Sequence, residues 1–263
     1  MSVVTSFQNP IVKRIRAVAS RKGREREGCF WAEGIHITME ALETGWPMER
    51  LVWCPDLLTS EVARESIQRA NADAVMVSRS VFRKISGREN PAGIGALLAT
   101  KHRSLGALDV ESGAFFVVLD RVGDPGNLGT VIRTVASAGG DAVILVGAST
   151  DPFDPRSVRA AMGSLFTLPV VAEGRADGFL DWARKNGLNL VGSSSKGNVH
   201  YREAEYRRPV ALMLGSEQHG LDDTLARAVG TSVHIPMAGR ASSLNLSAAA
   251  AVLAFTASSA GTR

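Results

Sequence analysis

Three short, almost wholly apolar runs constrain most strongly what this chain can fold into: residues 114–119, 142–146 and 210–214, each running into a polar stretch that contains glycine. A strand with one wet face alternates apolar and polar residues. Runs without alternation suit strands covered on both faces, as in a parallel sheet flanked by helices. Helical segments are expected between them at 128–138 and 155–165, with further strands at 188–191 and 232–235. Strands alternating with helices predict a parallel α/β sheet. The last element is an alanine-rich helix over about 243–257, read as a core helix with a serine cap.

The first hundred residues read differently. A basic amphipathic start is followed by a helix over 35–44 and strands at 51–54 and 74–77, the pattern of a small α/β domain. A polar stretch, 101–113, places the boundary near residue 108 and divides the chain into domains 1–108 and 109–263. Net charge is +4, yet residues 1–105 hold 16 Lys/Arg against 11 Asp/Glu, so the excess lies in the first domain. Lys13, Arg14, Arg16, Arg21, Lys22, Arg24 and Arg26 would attract a phosphate backbone if they share a face.

Cys29 and Cys54 stand far apart without a C-x-x-C, so neither a disulfide framework nor a cysteine zinc site is expected. Residues 1–16 carry charges where a signal peptide needs an apolar core, so a cytoplasmic location is expected. The apolar stretch 244–257 falls short of the ~20 residues of a membrane span. Neither a membrane nor a metal enters the expected partners.

Three segments carry the chemistry. Asp120-Arg121-Val122-Gly123-Asp124-Pro125-Gly126-Asn127-Leu128-Gly129-Thr130-Val131-Ile132-Arg133 follows a buried strand and opens a helix, where free backbone N–H groups can meet an anion. Its glycines run G-x-x-G-x-x-G, which matches neither the dinucleotide nor the nucleoside-triphosphate fingerprint. Leu212-Met213-Leu214-Gly215-Ser216-Glu217-Gln218-His219-Gly220-Leu221 is again a strand entering a glycine-bounded loop, where ligands of parallel sheets collect. Val233-His234-Ile235-Pro236-Met237-Ala238-Gly239-Arg240-Ala241-Ser242-Ser243-Leu244-Asn245-Leu246-Ser247 joins a strand to the small-residue helix.

Together, N-L-G-x-x-x-R, L-G-S-E-x-x-G-L and I-P-M-x-G-x-x-x-S-L-N-L-S closely resemble, in this order, the three motifs of the SpoU (TrmH-like) methyltransferases of the SPOUT superfamily. Arg159-Ala160-Ala161-Met162-Gly163-Ser164-Leu165-Phe166 is also similar to the family, and the N-terminal part resembles a ribosomal-protein-like RNA-binding domain. The resemblance implies a parallel α/β domain with a deep trefoil knot, a rare exception to the rule against threading. It also implies a homodimer whose chains complete each other's sites. The implied activity is S-adenosylmethionine-dependent methylation of a ribose 2′-hydroxyl in RNA, ribosomal rather than transfer RNA. The cofactor falls to Gly215, Ile235 and Leu244, with Met237 added, and catalytic or RNA-contacting roles fall to Asn127, Arg133, Glu217, Ser243 and Asn245.

The chemistry asks for a ribose oxygen held in line with the methyl donor and a route for its proton. A guanidinium stays protonated, so Arg133 suits a clamp on phosphate and developing alkoxide better than a base. Glu217, His219 and His234 are the titratable groups at the motifs, and Glu217 is placed to orient Arg133 or polar groups of the target nucleotide. The competing readings are a non-enzymatic RNA- or ribosome-binding protein, a Rossmann-type nucleotide enzyme and a SPOUT base methyltransferase.

Overall fold

The computed structural model describes residues 3–69 and 73–260. Among these the chain runs α1 (Pro10–Ala17), α2 (Arg21–Glu27), β1 (Cys29–Glu33), α3 (Ile35–Glu43), β2 (Met48–Trp53), α4 (Glu61–Arg69), β3 (Ala74–Met76), α5 (Arg79–Ile85), β4 (Ile94–Ala99), β5 (Phe115–Asp120), α6 (Pro125–Ser137), β6 (Ala142–Val146), α7 (Pro155–Ala161), β7 (Val170–Glu173), α8 (Ala176–Lys185), β8 (Asn189–Ser193), β9 (Val199–His200), β10 (Val210–Leu214), α9 (Asp223–Ala228), β11 (Thr231–His234) and α10 (Leu246–Ala260). No helix among the described residues is long and apolar enough to cross a membrane.

Two compact units result. The first comprises Met1–Lys101 together with Phe153–Phe166, the second His102–Pro152 with Thr167–Arg263. The first unit holds a four-stranded sheet in the order β1-β4-β2-β3, antiparallel except for the β2/β3 pair. Phe30, Trp31, Val52, Phe82 and Leu97 are buried in it. The segment 153–166 joins this core through its aromatic ends: the Phe153 ring lies 4.8 Å from that of Phe30, and Phe166 5.3 Å from Trp46. Helix α7 stops at Ala161 rather than at 165, because Met162 takes a left-handed conformation (φ 49°) and the following Gly163 (φ 94°) turns the chain into a short 3-10 turn.

The basic start is two helices, and they do not present all seven cations. Arg24 is 3% exposed and donates to the carbonyls of Val18 and Ala19, while Arg14 is paired with Glu27 and Glu49. Burying a guanidinium is costly unless its donors are satisfied, and here they close the α1–α2 turn. Lys13, Arg16, Arg21, Lys22 and Arg26 remain exposed.

The second unit is the parallel α/β layer. Its seven-stranded sheet has the order β7-β6-β5-β10-β8-β11-β9, with every pair parallel. All five residues of β10 and all six of β5 are buried, as the unbroken apolar runs require. Phe116, Val118, Ile144, Met213 and Phe179 are fully enclosed, each contributing about 1.5–3 kcal/mol by leaving water. The chain leaves β5 in one direction to β6 and β7 and later returns to place β8 and β10 on the other side. The strand order therefore reverses between β5 and β10, where open parallel sheets gather ligands at their carboxyl ends.

Candidate active site

Both helix starts at this point differ from the expectation, and both differences place functional groups. Asp124 accepts a hydrogen bond from the Asn127 amide at 2.8 Å and Pro125 takes the first helical position, so α6 begins three residues earlier than expected and Asn127 lies in its first turn. At α10 the cap is Asn245, not a serine: its Oδ1 accepts from Ser247 N at 2.9 Å and Ser247 Oγ at 2.6 Å. Ser243 consequently lies in the loop before the helix.

Three distant sequence positions meet here. Glu217 Oε1 accepts from Asn127 Nδ2 at 2.9 Å, Asn245 Nδ2 at 3.0 Å and the Leu246 amide at 3.3 Å, and Asn245 Nδ2 also reaches Asn127 Oδ1 at 3.1 Å. A carboxylate is an acceptor only, so one oxygen can draw three donors from two segments to a point on a third. The first turn of α6, the loop after β10 and the start of α10 are locked together.

Beside the cluster opens a pocket of about 1120 Å³ at the carboxyl ends of β8, β10 and β11. Gly215, Ile235, Met237 and Leu244 all line it, as do Glu217, Ser243 and Asn245. Leu244 is 39% exposed, and with Ile235 and Met237 it offers apolar surface to a flat ligand. The turn after β8, Ser193-Ser194-Ser195-Lys196, supplies a polar wall that the motifs did not indicate. This turn is held by Ser194 N donating to Val233 O at 2.9 Å and by Gly197, whose missing Cβ leaves room for the Val233 backbone. His234 also lines the pocket, and its Nδ1 is buried without a hydrogen-bond partner.

Gly215 has a different reason from the one its motif suggests. A Cβ there would collide with the Gly220 carbonyl carbon and the Leu221 nitrogen, so the glycine lets the loop close on itself before any ligand arrives. Ser216 and Gly220 exchange two backbone hydrogen bonds, 3.1 and 2.9 Å, across that closure.

Arg133 is not brought to the cluster. It is exposed on α6, makes no hydrogen bond or ion pair among the described residues, and does not line the pocket. Six residues after Asn127, it lies about 240° further around the helix, on another face. Glu217 therefore orients two asparagines and not Arg133. His219 lines the pocket, and its amide donates to Ser216 Oγ at 3.2 Å.

The sequence model of the SpoU rRNA Methylase family matches residues 114–255, and that of an MRM3-like substrate binding domain matches residues 9–96. The chain is 29% identical to a 23S rRNA (guanosine(2553)-2′-O)-methyltransferase of Bacillus subtilis, over 97% of this chain and 98% of that one. It is 30% identical to a 23S rRNA (uridine(2479)-2′-O)-methyltransferase of Streptomyces viridochromogenes, over 91% of this chain and 86% of that protein. Among solved structures, an AdoMet-bound rRNA methyltransferase from Sinorhizobium meliloti superposes with a TM-score of 0.87 at 39% identity, covering 97% of each chain.

Proposed function

The chain belongs to the SpoU rRNA methylase family, and from that premise we propose that it methylates a ribose 2′-hydroxyl of ribosomal RNA with S-adenosylmethionine as donor. The observation that carries this reading is the meeting of Asn127 with Glu217 and Asn245, two residues that line the pocket. A protein that merely bound RNA would have no need of that lock beside a cavity of this size. The pocket fits the cofactor: Ile235, Met237 and Leu244 offer an apolar face for the adenine ring, and Lys196 and the Ser193–Ser195 turn offer polar partners to its amino-acid end. When bound, the cofactor supplies an electrophilic methyl group on sulfur.

The chain's own residues do the positioning. Asn127 and Asn245 are fixed by Glu217 and present amide groups at the rim, where a ribose would be oriented, and Ser243 adds a hydroxyl from the same loop. Arg133 is the clamp for phosphate and developing alkoxide. Because it stands apart from its own chain's pocket, it serves the site of a second copy. The homodimer face is α10, where Ala248 and Phe255 are exposed, Phe255 by 50%, on a helix packed against α6. Residues 1–108 bind the RNA substrate and 109–263 form the methyltransferase domain, at work in the cytoplasm. The loop 235–245 completes a deep trefoil knot. Its support is that the chain leaves β11, beyond β8, yet returns across the sheet's carboxyl ends to put Asn245 on Asn127.

The test is incubation of the full chain with methyl-labelled S-adenosylmethionine and unmodified ribosomal RNA, followed by nuclease digestion. A labelled 2′-O-methyl nucleoside is the expected product. Label on a base, or none transferred, defeats the reading.

A further inference from the structure

Two residues outside the assigned set grip the pocket loop from the end of β5. Asp120 is 2% exposed, and its carboxylate accepts from the Asp222 amide at 2.7 Å, across the sheet, as well as from Arg121 Nε at 3.1 Å and Arg121 Nη2 at 3.0 Å. The same Arg121 Nη2 reaches the Gly220 carbonyl at 3.4 Å. Gly220 is the residue whose backbone closes the loop on Ser216, and Asp222 caps α9 directly after it. Both atoms gripped thus belong to the segment that carries Gly215 and Glu217.

The backbone at Arg121 marks the arrangement as more than a surface ion pair. Its φ is 52°, a conformation that side-chain-bearing residues rarely adopt and that persists where the surroundings over-determine it. Glycine would make this turn without strain, yet arginine stands there. Its amide is fixed by Val146 O at 2.9 Å, and Gly147 lies so close that a Cβ would come 2.9 Å from Arg121 Cγ. The strained backbone aims the guanidinium at once along the Asp120 carboxylate and toward the Gly220 carbonyl, which a straight exit from β5 would not do.

We infer that Asp120 and Arg121 are positioning residues: a clip that sets the loop 215–222 in its cofactor-binding shape and in register with Asn127, which follows on the same β5–α6 connection. The inference rests on the reading of the pocket as an S-adenosylmethionine site. It accounts for two cross-links between the same two loops, one through Asn127 and Glu217 at the rim and one through Asp120 and Arg121 behind it.

The informative variant is Arg121→Gly in the full chain, which keeps the left-handed turn and removes the fork. Its thermal midpoint should fall only slightly, since relief of the positive φ offsets part of the cost of leaving the buried Asp120 carboxylate without its guanidinium. Its Kd for S-adenosylmethionine by calorimetry should weaken on the order of tenfold, the scale of a lost charge-assisted hydrogen bond. Arg121→Lys keeps a charge beside Asp120 without spanning to Gly220, and its Kd should fall between the two. Unchanged affinity in Arg121→Gly overturns the clip. So does a large fall of the thermal midpoint alongside the affinity, which would make Arg121 ordinary support for the fold. A parent chain that binds no S-adenosylmethionine sinks the pocket reading and the clip with it, whereas a parent that binds it, but no better than its Arg121→Gly variant does, sinks the clip alone.

Discussion

The loops at the carboxyl ends of the second unit's sheet and the helices that open the first unit differ in the polar side chains they leave unmatched. In the loops, polar groups are matched to one another: Glu217 takes three donors, and Asp120 takes one from Asp222 and a fork from Arg121. On α1 and α2, Lys13, Arg16 and Lys22 are exposed and without ion pairs among the described residues. The contrast separates two kinds of recognition. A small ligand and a reacting hydroxyl need groups fixed to fractions of an ångström, whereas a phosphate backbone needs charge in roughly the right region.

Arg133 tests the contrast hardest, because it belongs by sequence to the first kind and by environment to the second. Arg133→Ala should lower single-turnover methyl transfer by orders of magnitude and leave the calorimetric affinity for S-adenosylmethionine nearly unchanged, since the lost interaction is made mainly in the transition state. Arg133→Lys should recover little, because a point charge does not replace a planar fork. Near-normal turnover in Arg133→Ala would move Arg133 to the diffuse class.

Gly215→Val sharpens the other side. Its side chain would meet the backbone of Gly220 and Leu221, so cofactor binding should be abolished while the first unit keeps its hydrogen-exchange protection. Retained binding would mean that the loop is more compliant than its closure implies.

A smaller effect is expected from Lys13→Ala, Arg16→Ala and Lys22→Ala combined. RNA binding should weaken and its logarithmic salt slope should flatten by about 0.7–0.9 for each phosphate no longer neutralised, with cofactor affinity untouched. An unchanged slope would remove these helices from the RNA surface.

The smallest effect is one of pH and involves neither kind of site. Burial pushes the Cys29 thiol up to about 11 and the Tyr206 hydroxyl up to about 12. Groups that hold their protons longer folded than unfolded stabilise fully below the unfolded values, near 9 and 10, and lose that stabilisation as pH climbs through the folded ones. Denaturant midpoints should therefore be flat below pH 9 on account of these groups and decline above it, and Cys29→Ser should soften the early part of the decline.

Much of the second unit was legible because three of its strands, β5, β6 and β10, are buried on both faces, which writes unbroken apolar runs into the sequence. Strands β6 and β10 fall where those runs predict them. The membership of α7 was not legible: a helical stretch between two parallel strands reads as a crossover, and the structure shows which core it joins through its packing on β1 and the aromatic contacts of Phe153 and Phe166. The grouping of Asn127, Glu217 and Asn245 follows from motif order alone only through family likeness, since residues 118 apart in sequence carry no local signal of contact. Asp120 and Arg121 stood at the start of the first chemistry-bearing segment, ahead of its motif, and nothing singled them out there. A positive φ at arginine leaves no mark in the sequence, and the burial of Arg24 was hidden for a similar reason, as charge patterns count cations without showing which ones fold inward.

Asn245 gives one side chain two appointments. Its oxygen starts the last helix and its nitrogen joins the rim of the pocket, so the order of the first turn of α10 and the order of the site are a single thermodynamic event. Whatever loosens the rim frays the helix start, and whatever steadies the rim winds it. The amide of Ser247, held by that same oxygen, is thus a built-in gauge: its solvent exchange reports from outside the pocket how often the site is assembled.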